Sequence, residues 1–531
     1  MMATRDDKPV RLESVTVRMY RPGLGDCFLL TFRGKQGTTS VKRYMLIDCG
    51  VLSGTESESE RLGKIIENIQ QETNGMLHTM VVTHEHADHL SGFGYHKDIF
   101  KDQSKFLIGE VWLGWTEDKD DPDVREIYSA VRDVPTQVLE QALEELRKTG
   151  HHSFEAIKKV AQFLKNNGMD DPKEIAQAQD AEPLYLRPNP DVDGPTQVLS
   201  WDDFGGVRFH VLGPPEDPEL LKRSDPPKTK TSLDRGEPLN PSTAFAMAVM
   251  HMAAAQGNLT DSENMSISDI EEMFELSLPF DSSLGIPLDA FKHPIKEPSD
   301  AQVNFQSALP EGVLEFYKKF YGQKYSLDKT SGPEWRRIDS DWLDSAGSMA
   351  LNLDGDINNT SLVLAIELGE GGKVLLFPGD AQYGNWLSWA KTRRGMDLLA
   401  RTVFYKVGHH GSHNATLKEG GLSLMGTARG FEKLVAMIPV DTEKAKTKGK
   451  GGWKMPEGEL RDLLIRQTRG RLIIACEGTK KGEQCPDFIY QKPLMPPAGA
   501  RISTRDWKSF LSAIKFDQQD DRLWVEYTLR P

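Results

Sequence analysis

The sequence predicts a mixed α/β protein, and three observations lead to that prediction. Short apolar, β-prone runs recur along the chain, and two of them, Met80–Val82 and Val374–Phe377, lead into turns that carry histidine or aspartate. Residues 123–168 instead place apolar side chains at helical spacing. With 531 residues the chain is too long for one simple core, so we expect several structural units or one core with large insertions.

The predicted elements alternate along the chain. The opening is rich in strands, and a helix over 59–71 precedes the strand that ends at residue 82. Residues 216–345 carry many prolines, serines and charges, and we interpret them as an insertion or cap. The other predicted strands cover 15–20, 27–32, 43–47, 106–115, 207–212, 361–367 and 374–377.

Composition narrows the class of protein. The chain is 38% hydrophobic and 27% charged and has no apolar run long enough for a transmembrane helix, so we expect a soluble protein. Residues 1–8 lack the apolar stretch of a signal peptide, and the four cysteines form no C-x-x-C pair. We therefore expect a cytoplasmic location without a disulfide scaffold or a cysteine zinc site. The net charge of −14 disfavours nucleic-acid binding over the whole surface but is compatible with a local basic channel.

The most informative segment is 83–92, which reads Thr-His-Glu-His-Ala-Asp-His-Leu-Ser-Gly. It places four potential metal ligands, His84, His86, Asp88 and His89, directly after an apolar strand. A tight turn there can direct His84 and His86 to one point, and Asp88 and His89 to a second. Imidazole and carboxylate suit zinc, or manganese and iron where oxygen ligands dominate. Packing alone rarely explains such a cluster, so we predict a metal site.

Three further strand ends support this prediction. Asp380 follows a buried strand, and a carboxylate in that position can bridge two cations. His409 and His410 follow another apolar strand and suit one metal ligand plus one contact to the substrate or transition state. Asp48 ends a third strand, and we expect it to orient a histidine ligand or to brace its turn.

As a set, these segments resemble the metallo-β-lactamase superfamily, in particular the branch of the metallo-β-lactamase-like domain of the DNA-uptake protein ComEC. The resemblance covers about half of the chain and implies an αββα sandwich with large helical insertions. In that fold two β-sheets lie back to back, helices lie outside them, and a dinuclear site lies at one sheet edge. The resembling segments are Gly23–Cys27, Leu46–Gly50, Thr83–Gly92, Asn358–Leu364, Leu376–Ala381, Lys406–Ser412 and Met455–Gly478.

The resemblance also divides the chain. It implies that the core is formed by residues 11–115, one strand in 201–215 and residues 346–480. Between these parts lie a helical insertion (116–200) and an insertion or cap (216–345), and a C-terminal extension (481–531) follows.

The family pattern implies which residues bind metal. His84 and His86 would bind a first divalent cation, and Asp88 and His89 would bind a second. Zn²⁺ is the first choice for both, with Mn²⁺ as the alternative.

The same pattern implies that Asp380 bridges the two cations. His409 would complete the second site, but His410 is open as the alternative ligand.

One departure from the family pattern concerns the first site. Many members supply a further histidine from a Gly-His-Thr turn, whereas the corresponding strand here ends Leu212-Gly213-Pro214-Pro215. His210 lies two residues before that turn and would have to slip register to reach the site. The first site is therefore expected to be open, weaker, or completed by a residue of the insertion.

The predicted chemistry is hydrolysis by a metal-bound hydroxide, with Asp88 also able to accept a proton and His410 placed to act on the transition state. A phosphodiester of a nucleic acid or nucleotide is the first choice of substrate, as the resemblance implies. Another ester, a lactone or an amide is the alternative within enzymes. The non-enzymatic alternative is a metal-stabilised binding or regulatory protein whose insertion caps the site and meets a protein partner.

A lysine-rich loop and two tryptophans bear on the substrate. Lys444, Lys446, Lys448 and Lys450 suit a phosphodiester backbone, and a solvated flexible loop is the alternative interpretation. Trp112 and Trp115, after the first motif, either line a pocket or belong to the core.

Overall fold

The structure is a computed structural model that divides the chain into two compact units. The first unit comprises 1–134, 162–229 and 352–531 and holds both β-sheets, whereas the second comprises 135–161 and 230–351. The described residues are 9–52, 56–122, 124–125, 134–149, 154–155, 158, 170–188, 198–224, 315, 356–447, 452–476, 496, 500–519 and 522–531.

Strands and helices alternate through the described residues. The strands are β1 (Arg11–Tyr20), β2 (Cys27–Gln36), β3 (Thr39–Cys49), β4 (Met76–Val81), β5 (Leu107–Gly114), β6 (Pro183–Leu186), β7 (Val198–Trp201), β8 (Val207–Gly213), β9 (Val363–Leu368), β10 (Val374–Phe377), β11 (Thr402–Lys406), β12 (Val435–Asp441), β13 (Leu472–Cys476), β14 (Ile514–Phe516) and β15 (Trp524–Leu529). The helices are α1 (Glu56–Thr73), α2 (Ala87–Tyr95), α3 (Lys97–Lys101), α4 (Val134–Thr149), α5 (Asp170–Ala178), α6 (Pro218–Leu221), α7 (Tyr383–Trp389), α8 (Arg393–Ala400), α9 (Thr442–Lys446), α10 (Gly458–Gln467) and α11 (Thr504–Ser512).

The two sheets share one pattern of strand directions. The first has eight strands in the order β14-β15-β1-β2-β3-β4-β5-β6, antiparallel up to β3 and parallel from β3 to β6. The second has seven in the order β13-β12-β11-β10-β9-β8-β7, parallel from β13 to β10 and antiparallel beyond. Adjacent parallel strands end at the same edge, so each sheet brings the turns after several strands together.

Apolar side chains of both sheets pack into one buried cluster. The ring of Phe28 on β2 meets Phe377 on β10 edge-on, with 5.8 Å between ring centroids. Trp112 on β5 meets Phe209 on β8 in the same way at 5.1 Å. The two sheets therefore pack against each other through alternate residues of their strands, which is the pattern that β-strands with two buried faces produce.

Helices cover the other apolar faces of the sheets. Leu46 on β3 shares a buried cluster with Ile65 on α1, and Leu376 on β10 shares another with Trp386 on α7. Helix α1 is amphipathic, and its buried side chains recur at helical spacing. The helix is stabilised because this apolar stripe is removed from water against β3 and β4. The second unit is described mainly by α4, where Val138, Ala142 and Leu146 are buried.

The predicted mixed α/β class is confirmed, and the predicted strands coincide with β1 to β5 and β8 to β10. Two features differ from the sequence-based expectation. The region predicted as a C-terminal extension, 481–531, contributes β14 and β15 to the first sheet, where β15 pairs with β1. Cys27 and Cys49 are free thiols, whereas Cys476 is disulfide-bonded, contrary to what cysteine usage suggested for that residue. Most of the predicted insertion 216–345 lies outside the described residues.

No helix of the described residues is both long and apolar enough to span a bilayer.

Candidate metal centre

Four strand ends bring the predicted ligands together. In the first sheet, β3 ends at Asp48-Cys49 and the neighbouring parallel strand β4 leads into Thr83-His84. In the second sheet, β10 leads into Asp380 and its parallel neighbour β11 leads into His409-His410. Because both sheets present the carboxyl ends of parallel strands at this edge, residues more than 300 positions apart become neighbours, as His410 and Asp88 show with a 2.9 Å contact.

Helix α2 positions Asp88 and His89. It begins at Ala87, directly after the extended residue His86, and carries Asp88 in its first turn, where the helix dipole favours a carboxylate. The helix approaches the turn after β3 so closely that a Cβ at Gly50 would collide with the backbone of Asp88 and His89. Glycine at position 50 therefore allows the first motif to lie against the end of β3.

The side chains form three groups that can hold a metal ion. They are His84, His89 and Asp380; Asp26, Asp48 and His89; and Asp88, Asp380 and His410. Within each group the donor atoms lie within 4.8 Å of one another, and all members are buried.

His89 is surrounded by carboxylates. Its Nδ1 donates to Asp48 Oδ2 at 2.8 Å, while its Nε2 lies 3.2 Å from Asp380 Oδ2 and 3.9 Å from Asp88 Oδ2. Asp48 also accepts hydrogen bonds from the amide and hydroxyl of Thr83, each at 2.8 Å. The contact with Asp48 fixes Nδ1 as the protonated nitrogen, so the Nε2 lone pair points toward the other carboxylates, as a metal ligand requires.

His410 rather than His409 belongs to the buried groups that could hold a metal ion. His410 Nδ1 donates to the carbonyl oxygen of Pro439 at 2.7 Å, and its Nε2 lies 2.9 Å from Asp88 Oδ2. His409 is less buried, and its Nδ1 accepts from Gln382 Nε2 at 3.3 Å. Because Nδ1 donates to Pro439, Nε2 is the nitrogen of His410 that would face a cation.

Three site residues adopt the left-handed backbone region. The φ angles are 56° for Asp48, 45° for His409 and 52° for His410. This region costs roughly 1–3 kcal/mol for a residue other than glycine, and such strain is concentrated at functional sites.

Lys406 joins the two sheets beneath the cluster. Its ammonium donates to the carbonyl of Gly379 at 2.8 Å and to Asp380 Oδ1 at 3.1 Å, and it forms an ion pair with Asp26. The amide of His409 also donates to Asp380 Oδ1, at 2.8 Å. Both donors therefore occupy one oxygen of Asp380 and leave Oδ2 facing His89.

Several buried polar atoms of the cluster make no hydrogen bond with the described residues. They include Asp88 Oδ1, Asp380 Oδ2, His89 Nε2 and Asn358 Nδ2. Leaving a buried polar atom unsatisfied costs about 1–3 kcal/mol. Carboxylate and imidazole atoms in this state are the donors that divalent metals bind, so the residues fit a metal centre.

Burial and the neighbouring charges determine the protonation of the cluster. Burial lowers the pKa of His84 well below its ordinary value, so this imidazole is neutral. Burial also opposes the charged form of His89, but the carboxylates, Asp380 foremost, raise its pKa well above the ordinary value. For Asp88, burial is outweighed by His89 and by the hydrogen bond from His410, which together lower its pKa. In the absence of a metal, the protonated imidazole of His89 therefore offsets part of the negative charge of the carboxylates.

Three site residues had no assigned role in the sequence analysis: Asp26, Lys406 and Asn358. All three belong to segments that carry the family resemblance, and Lys406 is a lysine within an otherwise apolar strand. That lysine was an available signal, because a charge in a buried strand requires a partner. Its partner Asp26 lies 380 positions earlier, which no local pattern reveals.

His210 is not at the cluster. Its Nε2 lies 2.9 Å from Glu367 Oε2 on the neighbouring strand β9, and Arg401 pairs with the same carboxylate. The possibility that His210 slips register to bind the first cation is therefore not supported by its contacts.

The described lysines of the basic loop each have a carboxylate partner. Lys444 contacts Glu58 at 2.9 Å, and Lys446 contacts Glu443 at 2.7 Å. Lys448 and Lys450 lie outside the described residues. The two tryptophans are core residues in the structure, with Trp112 only 1% and Trp115 only 2% exposed.

Comparison of the chain with protein-family models, with curated protein sequences and with solved structures finds no match.

Proposed function

We propose that this protein is a metal-dependent hydrolase with a dinuclear centre, acting on a phosphodiester such as a nucleic acid or nucleotide. In this proposal the two sheets and their covering helices correspond to the αββα sandwich of the metallo-β-lactamase superfamily, in the branch that the sequence motifs resemble. The observation that carries the proposal is the convergence of buried imidazoles and carboxylates, several of whose atoms make no hydrogen bond to the described residues.

The donor set suggests how two cations would be held. His84 and His86 would hold the first, and Asp88, His89 and His410 the second, with Asp380 Oδ2 between them. His410 replaces His409 as the preferred second-site ligand because its Nε2 lies beside Asp88. Zn²⁺ and Mn²⁺ both accept such a mixed nitrogen and oxygen set.

The charge of the centre favours an anionic substrate only when both cations are bound. Asp26, Asp48, Asp88 and Asp380 contribute four negative charges, and Lys406 contributes one positive charge. The protein groups therefore sum to −3 with neutral imidazoles, so one divalent cation leaves the centre negative and two make it positive. A positive centre attracts a phosphodiester, whereas a neutral amide or lactone has no such requirement.

The residues of the chain have distinct roles in this mechanism. When bound, divalent cations acidify a coordinated water and neutralise charge that develops on the substrate. Asp88 Oδ1, which has no hydrogen-bond donor among the described residues, is available to accept the proton of an attacking water. Asp48 orients His89, and Lys406 keeps Asp380 ionised and fixed. His409, at the less buried side of its turn, is placed to contact the substrate.

The test combines metal analysis with turnover. Purified protein is analysed for bound metal and assayed against bis(p-nitrophenyl) phosphate after EDTA treatment and reloading with Zn²⁺ or Mn²⁺. Two cations per chain and turnover that EDTA abolishes are expected. Asp88→Ala should lose turnover, whereas Asp98→Ala, which removes an exposed carboxylate on α3, should not.

Metal binding without phosphodiester turnover would contradict the proposed substrate and favour another ester, a lactone, an amide or a non-enzymatic role. The absence of bound metal after loading with either ion would contradict the metal centre itself.

A further inference from the structure

The first cation site has two histidines but lacks the third that the family pattern supplies. His210 cannot fill the place from its position beside Glu367. A different side chain, Asn358, lies beside His86. It is fully buried and belongs to a helical turn over residues 356–359, just before β9.

His86 Nδ1 lies close to a donor atom on each of two neighbouring side chains. His84 Nε2 lies 3.0 Å from His86 Nδ1, and His86 Nδ1 lies 3.1 Å from Asn358 Oδ1. The three residues are 0%, 3% and 0% exposed in that order. Separations near 3 Å are what ligand atoms bound to one cation show, since each lies about 2.0–2.2 Å from the metal.

Hydrogen bonding among the three atoms is incomplete. Asn358 Oδ1 is an acceptor, and a neutral imidazole carries a hydrogen on only one of its nitrogens. A hydrogen on His86 Nδ1 would have to be shared between His84 Nε2 and Asn358 Oδ1, and without that hydrogen Asn358 Oδ1 faces the lone pair of His86 Nδ1. A divalent cation would satisfy all three lone pairs at once.

We propose that Asn358 Oδ1 is the third protein ligand of the first cation, in the place that a histidine takes elsewhere in the family. This inference rests on the proposed metal centre. Two imidazoles and one amide oxygen form a harder and weaker donor set than three imidazoles. The first site should therefore bind Mn²⁺ readily and lose its cation before the second site does.

The backbone around Asn358 is held rigidly in the position that a ligand needs. Ser361 N donates to Asn358 O at 3.1 Å, and Leu362 N donates to Thr83 O at 2.8 Å, which ties the segment to the residue before His84. Asp380 N donates to Ser361 Oγ at 3.0 Å. The same segment is thus bonded to the first motif and to the bridging aspartate, so the amide is positioned before any metal arrives.

The experiment is a Mn²⁺ titration of the full chain after EDTA treatment, with free Mn²⁺ counted by electron paramagnetic resonance. Wild type should bind two Mn²⁺ in two affinity classes. Asn358→Leu, which has a similar volume but no donor atom, should lose the weaker class or weaken it at least about tenfold. Asn358→Asp, which keeps an oxygen in place, should bind two Mn²⁺ at least as tightly as wild type. Circular dichroism checks that each variant is folded.

The outcomes separate this inference from the proposed function. Two Mn²⁺ in wild type and unchanged binding in Asn358→Leu would overturn the role of Asn358 and leave the dinuclear centre intact. No Mn²⁺ and no Zn²⁺ in wild type would overturn the centre and this inference with it. If Asn358→Leu does not fold, Asn358→Asp decides, because loss of one Mn²⁺ from that variant contradicts an oxygen ligand at this position.

Discussion

Two buried histidine–carboxylate pairs in this protein are alike in geometry but differ in their surroundings. His89 Nδ1 lies 2.8 Å from Asp48, and His210 Nε2 lies 2.9 Å from Glu367. In both pairs each side chain is at most 4% exposed. The contact alone therefore does not distinguish a metal site from a structural interaction.

The second nitrogen of each histidine makes the difference. His89 Nε2 faces Asp380 and Asp88, whose carboxylates exceed the nearby positive charge. His210 Nδ1 is buried without a hydrogen bond to any described residue, and the charge of Glu367 is already balanced by Arg401. If the proposed metal centre is correct, the anions that converge on His89 Nε2 distinguish its pair from the His210 pair.

The largest expected contrast between the two pairs is catalytic. Asp380→Asn should lower metal-dependent phosphodiester turnover by at least about 1,000-fold, because the amide removes the charge that the two cations share. His210→Gln should leave turnover at the wild-type level, since His210 does not contact the cluster residues. Initial rates with saturating Zn²⁺ or Mn²⁺ measure both. Equal loss in the two variants would remove the distinction between the pairs.

A large effect on the stability of the fold is expected when the buried ammonium of Lys406 is removed. Lys406→Met leaves Asp26 and Asp380 without their buried partner and should lower the free energy of unfolding of the metal-free protein by about 3–5 kcal/mol. Lys446→Met breaks an exposed pair with Glu443 and should cost less than about 1 kcal/mol. Urea unfolding of both variants checks this, and a small effect of Lys406→Met would show that Asp26 and Asp380 do not depend on that ammonium.

A smaller contrast is expected in metal affinity. Asp48→Asn should weaken Zn²⁺ binding by about 10- to 100-fold, because Asp48 fixes the orientation of His89 without itself being assigned as a ligand. Glu367→Gln, the same change in the other pair, should leave the affinity unchanged. Competition with a chromophoric chelator measures both constants. A loss of affinity in Glu367→Gln would show that the His210 pair is coupled to the centre.

The smallest expected effect is a pH dependence of the free energy of unfolding that comes from the His210–Glu367 pair. Burial raises the pKa of Glu367, but the hydrogen bonds from His210 and Arg401 outweigh it and lower the pKa to about 2 from 4.5. A lowered carboxyl pKa stabilises the fold above about pH 4.5, and this stability is lost as the pH falls toward 2.

Glu367→Gln should remove that part of the pH dependence, on the order of 1 kcal/mol. Melting temperatures of wild type and variant across this pH range provide the measurement. Parallel curves would contradict the contribution of Glu367.

The sequence predicts the features of this protein that are local along the chain. Strands β4 and β10 were predictable because each is a short apolar run, and the ligands directly after them fall within a few positions. That His410 rather than His409 lies beside Asp88 was not predictable, because it depends on backbone angles within one turn. The contacts of Asn358 with His86 and of Lys406 with Asp26 join positions hundreds of residues apart, and one sequence contains no signal of such pairing.

The pairing of β15 with β1 has a consequence for synthesis of the protein on the ribosome. Strand β1 lacks its neighbour β15 until residue 529 has been made. At about 5–20 residues per second, synthesis up to that residue takes from roughly half a minute to two minutes. During that time the nascent chain exposes the edge of β1, an open template for misplaced strands of other chains. We therefore expect the free edge of β1 to need protection by a chaperone while the chain is being translated.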